Sequence, residues 1–110
     1  MDGFSADEDK RRKFLEKQKA FKKAWRKELS NLEFATSDAE FVEANDALFK
    51  LIQQNGFQIP EGVRKMDLDQ VYKTVQPRLS KSARMEYAKL NKIVTDIVTV
   101  KREGQTELGY

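Results

Sequence analysis

The sequence predicts an all-α fold, a small helical bundle of three main helices plus a short fourth, led by a long basic N-terminal helix. Apolar residues recur at spacings of three, four and seven along most of the chain. Ser-x-x-Glu signatures open two of the helical runs, at Ser5 and Ser37. Two prolines and five glycines fall between the runs or near their ends. At 110 residues the chain has room for one core. Residues 1–110 are therefore read as a single helical domain, with 1–4 and 105–110 as flexible ends.

Helix one is expected to begin at Ser5, with Glu8 closing a capping box and Asp7, Glu8 and Asp9 complementing the helix dipole. Phe14, Phe21, Trp25, Leu29 and Leu32 share one face up to Phe34. Such a helix is about 40 Å long, so its first turns are expected to project beyond the core.

Helix two opens at Ser37, with Glu40 completing its box. Phe41, Ala44, Leu48, Leu51 and Ile52 form its stripe, and Val42 and Phe49 widen it. Asn55-Gly56 closes it, because glycine suits the left-handed position after a helix. The connection that follows carries Phe57 and Ile59, which predict a short extended plug over the core.

Asp67 is the expected cap of the short helix carrying Leu68, Val71, Tyr72 and Val75, which Pro77 ends. The last helix starts near Ser80 or Ser82 and runs through Ala83, Tyr87, Leu90, Val94 and Ile97 to Gly104. Its residues 93–100 are rich in β-branched side chains that also suit a strand. Helix is favoured there, because the period enters unbroken from Tyr87.

Composition narrows the chemistry. The chain has no Cys and no His, which excludes disulfides, thiol and imidazole catalysis and the usual zinc ligand sets. Asp67-Leu68-Asp69 lacks the glycine and downstream Glu of a calcium loop. No glycine-rich phosphate loop occurs, and Ser80 and Ser82 have only Lys81 or Lys89 as conceivable activators. The expectation is a protein that is not an enzyme and carries no cofactor and no metal. With charged residues at 35%, a mean hydropathy of -0.75, no membrane-length apolar run and an acidic start, it is read as cytoplasmic with no integral membrane association.

Charge is distributed in blocks. Residues 1–9 carry -4, residues 10–27 carry +9, residues 28–61 carry -6 and residues 62–102 carry +6. Turned at 100° per residue, helix one places Arg12, Lys19, Lys22, Lys23, Arg26 and Lys27 opposite its aromatic face, interrupted by Glu16. Such a ridge matches the phosphates of a nucleic-acid backbone, DNA or RNA, and predicts positioning rather than base readout. Arg78, Lys81 and Arg84 form a second cationic patch at the start of the last helix, where a helix-turn-helix protein would meet base edges.

Other readings of the same residues stand beside this one. A basic solvated face can simply balance the acidic second helix, and a basic amphipathic helix bearing Trp25 also suits a membrane surface or a helix-binding partner. A charged protein partner is the main alternative, docked on helix one or on Glu40, Glu43 and Asp46 of helix two. Phe14 and Leu15 would mark a subunit contact in a homodimer, since the start of helix one outruns the core of one chain.

Overall fold

The helical spacings close into four α-helices in the computed structural model, which describes the backbone of residues 2–107 and the side chains of residues 8–99. These are α1 (Asp2–Glu33), α2 (Asp38–Gln54), α3 (Lys65–Val75) and α4 (Lys81–Glu107), with a 3₁₀ turn at Gln76–Arg78 before α4. No strand occurs among the described residues. Residues 108–110 lie outside them.

The α1–α2 corner is built from short polar side chains. Ser37 accepts the Glu40 N–H through its hydroxyl, and the Glu40 carboxylate accepts from the N–H and the hydroxyl of Thr36 at 2.9 and 3.0 Å. This is the expected capping box, with its return bond made to the residue before the cap. At the other end, Gly56 has φ 69° and Phe57 φ 58°. The Gly56 N–H reaches the Gln53 carbonyl and the Phe57 N–H reaches Ile52, the paired bonds of a Schellman stop.

Several boundaries differ from the sequence reading. Helix α1 begins at Asp2, so Ser5 lies within it rather than capping it. Helix α3 begins at Lys65, and Asp67 sits in its first turn, ion-paired to Arg64 at 3.0 Å, instead of capping it. Phe57 remains 50% exposed, because its left-handed backbone turns it outward. Pro60, buried, and Ile59 and Val63, half-buried, cover the core in its place. Helix α4 does start after Ser80, whose hydroxyl accepts the Ala83 N–H. It continues through Gly104 to Glu107. Residues 93–99 are helical, since Val94 is fully buried and Ile93, Ile97 and Val98 pack against the core; tertiary burial outweighs β preference here.

Helix α1 packs against α2 and α3, and α4 packs against the same two. The Ser80 N–H bonds to Asp38 and the Asn45 amide to the Glu86 carbonyl, so α2 and α4 run parallel. The core draws Phe21, Trp25, Leu29 and Leu32 from α1, and Phe41, Leu48 and Ile52 from α2. Leu68 and Val75 come from α3, and Tyr87, Leu90 and Val94 from α4. Burying each of the larger side chains contributes about 1.5–3 kcal/mol.

No side chain from Glu8 to Ala20 is buried. Lys17 and Ala20 already border the end of α2, so about 13 Å of α1, from Glu8 to Glu16, stands clear of the bundle, consistent with a longest dimension of 58 Å against 17 Å for the shortest. Phe14, which shares the helical period of the buried stripe, is 58% exposed for this reason. Its stripe is correct, but the core begins seven residues later, at Phe21.

Candidate nucleic-acid interface

The cations of α1 are displayed by a rigid element whose other face is fixed in the core. Phe21 and Trp25 stack with ring centroids 6.0 Å apart, and with Leu29 and Leu32 they set the rotation of the helix. Lys19, Lys23, Arg26 and Lys27 are consequently solvent-exposed. None of them forms an ion pair with a described residue. Arg12 lies two turns before Lys19 on the projecting segment and is paired with Asp9 at 2.6 Å.

Lys22 departs from the expected arrangement. It is half-buried on the flank of α1 rather than opposite the aromatic face, with its ammonium against Gly62. A Cβ at Gly62 would lie 3.3 Å from Lys22 Nζ, and the φ of 93° there disfavours any other residue. Lys22 and Arg26 line an open cleft between α1 and the start of α3, together with Trp25, Ser30, Arg64 and Asp67. The indole N–H of Trp25, behind this cleft, is buried without an acceptor. Arg64 escaped the sequence reading because it lies far along the chain; the length of the α2–α3 connection was its only signal.

The second patch is assembled differently. The Arg78 guanidinium donates to the carbonyl of Glu33 at the end of α1, at 2.9 Å. That of Arg84 donates twice to the Leu79 carbonyl, at 3.1 and 3.2 Å. Both are held on main-chain oxygens that helix ends leave unsatisfied. Lys81 is exposed in the first turn of α4. Since Arg78 touches the C-terminal end of α1, this patch sits at that end of the bundle, away from Arg12 and Lys19. The structure therefore separates the nine cations into a longitudinal set and an end set.

The acidic residues gather on another side. Glu40 and Glu43 line a groove between α1 and α2 with Glu28, Asn31, Phe34, Ala44 and Ala47. Asp46 is exposed on α2 outside that lining. Glu40 is committed to the Thr36 cap, and the Thr36 N–H, then its hydroxyl, hold its carboxyl below the ordinary range. Phe34, 71% exposed, rims the groove. Glu28 and Phe34 were not singled out in the sequence, although the helical angle of Glu28 already places it beside the α1 stripe. Leu15, 52% exposed, faces the cationic side of the projecting segment beside Arg11, Arg12 and Lys19.

Among the described residues no cluster of acidic side chains could hold a metal ion. No described helix is long and apolar enough to cross a membrane. The chain matches no known protein family, no curated protein and no solved structure.

Proposed function

We propose that this chain is a small non-enzymatic accessory protein that binds nucleic acid through the exposed cations of α1. The observation that carries the reading is the set Lys19, Lys23, Arg26 and Lys27, presented over two turns of one rigid helix with no ion pair to a described residue. Cations already paired at a surface lose their partners on binding phosphate, whereas free ones exchange only condensed counterions. Lys22 and Arg26 extend the set toward Arg64 across the cleft. Arg12 joins it by exchanging Asp9 for a phosphate.

Positioning without base readout is the expected mode. Long flexible side chains on one helix face match a repeating phosphate array, and no Asn or Gln lies among the cations from Lys19 to Lys27 to read adenine edges. Arg78 and Arg84 contribute long-range field rather than direct contacts, since their guanidinium groups serve the backbone.

Fluorescence anisotropy with labelled single- and double-stranded DNA and RNA tests the proposal, using a variant with Lys19, Lys22, Lys23, Arg26 and Lys27 changed to Gln. Loss of binding in a variant of unchanged helicity supports it. Equal binding by both proteins rejects it.

A protein-binding reading has its own support in the groove of Glu28, Glu40 and Glu43, rimmed by the exposed Phe34. It predicts a dependence on the apolar anchors rather than on the cations of α1.

A further inference from the structure

We propose that two copies of this chain pair along the face shared by α1 and α2, with the two α1 helices antiparallel. Lys13, Lys17, Ala20, Ala24, Glu28 and Asn31 fall within about 80° of one another at the helical 100° per residue. They form a strip along the side of α1. Near the N-terminal end, Lys17, Ala20 and Ala24 border a groove completed by Leu51, Gln54 and Asn55 of the end of α2. Toward the C-terminal end, Glu28, Asn31 and Phe34 border the acidic groove with Glu40, Glu43, Ala44 and Ala47. One face therefore runs from positive to negative along its length, with alanines at its middle.

This order identifies the occupant as a second copy. A foreign partner of either sign would oppose one end of the face and be repelled by the other. A copy related by a two-fold axis presents the reverse order and matches both ends at once, as an isologous contact requires. With Lys17 opposite Glu28 of the second copy, the constant rise along both helices puts Phe14 opposite Asn31. Ala20 and Ala24 then flank the axis, where small side chains let helices approach closely.

The same register accounts for the two exposed rings. Phe14 stands on the projecting segment with Lys10 and Arg11 one turn before it and Lys17 one turn after, an apolar knob in a ring of cations. The acidic groove has the opposite character, Ala44 and Ala47 ringed by three carboxylates with Phe34 at the rim. Antiparallel pairing brings each Phe14 to the groove of the other copy. Lys19, Lys23 and Arg26 lie outside the strip and Lys27 at its edge, and the substitutions that test the pairing leave all four in place, so the inference stands or falls independently of nucleic-acid binding.

The test is sedimentation equilibrium of the full chain and its charge-swap variants. The wild-type protein is expected to show a concentration-dependent dimer that weakens as salt is added. Lys17→Glu sets like charges against each other at both symmetric contacts and should weaken the dimer roughly tenfold or more. Lys17→Glu combined with Glu28→Lys restores both pairs with no change in net charge and should recover the wild-type constant. Phe14→Ser, at a side chain outside the core, should weaken the dimer without changing helicity. A wild-type protein that stays monomeric at all concentrations overturns the proposal. Single variants that dimerise as the wild type does, or a double variant that fails to recover, overturn it as well.

Discussion

The guanidinium of Arg78 donates to the main-chain carbonyl of Glu33, joining the turn before α4 to the last residue of α1 at 2.9 Å. A positive charge at a helix C-terminus opposes the partial negative charge of its free carbonyls. A residue that sequence places in a nucleic-acid patch thus holds the bundle together. Arg78→Ala should lower stability by about 1 kcal/mol. Lys27→Ala, at an exposed side chain with no ion pair to a described residue, should stay within about 0.5 kcal/mol of the wild type. Urea unfolding followed through Trp25, the only tryptophan, checks both.

The two phenylalanines of the α1 period should respond oppositely to truncation. Phe21 is 5% exposed and stacked on Trp25, so Phe21→Ala should cost about 3–5 kcal/mol. Phe14 is 58% exposed on the projecting segment, and Phe14→Ala should change the stability of the monomer by less than about 0.5 kcal/mol. Thermal unfolding at low protein concentration separates these outcomes from any effect on pairing.

Tyr87 should make the fold sensitive to alkali. Its ring stacks on Tyr72 with centroids 3.7 Å apart, and its hydroxyl lies 3.4 Å from the Asp69 carboxylate. Burial first, and then the Asp69 charge, push its ionisation above the ordinary range. The neutral phenol is thus favoured in the folded state. Its contribution is complete below the unfolded value of about 10 and declines as pH rises beyond it. Tyr87→Phe should show a shallower loss of stability above that pH than the wild type, measured by denaturant midpoints across the alkaline range.

Glu40 should act in the opposite direction. The Thr36 N–H and hydroxyl favour its carboxylate, so its folded value lies below the unfolded one. The contribution is present above the unfolded value of about 4.3 and is lost as pH falls through the lower, folded value. Glu40→Gln should be less stable than the wild type at neutral pH, and the difference should shrink in acid. Midpoints measured from neutral to acidic pH decide this.

Local chemistry made most of the fold legible. The Ser37 and Ser80 hydroxyls, the Gly56 stop and the break at Pro77 all act within a few residues of themselves, so their effect is written in the adjacent sequence. What failed depended on distance. Phe14 has the same period as Phe21, but only the length of α2 and α3 determines where the core along α1 stops. Asp67 looks like a cap by type, yet α3 starts three residues earlier, with Arg64 at the cap position and ion-paired to Asp67 in the first turn.

The candidate site divides in the same way. The exposure of Lys19, Lys23, Arg26 and Lys27 follows from the helical period alone. The use of Arg78 and Arg84 on carbonyls, and the closure of Lys22 against Gly62, require the folded chain. The acidic groove is likewise a product of two helices, α1 supplying Glu28 and α2 supplying Glu40 and Glu43.

The salt dependence of oligonucleotide binding tests the central claim most directly. Each cation of α1 that neutralises a phosphate contributes about -0.9 to the slope of log K against log salt on duplex DNA. Anisotropy titrations over a range of salt should give a steep negative slope for the wild type. For the variant with Lys19, Lys22, Lys23, Arg26 and Lys27 changed to Gln, binding should be weak and the slope shallower by up to about 4.5. Binding with no salt dependence, or the same slope in both proteins, would contradict the claim that α1 is a phosphate-binding ridge.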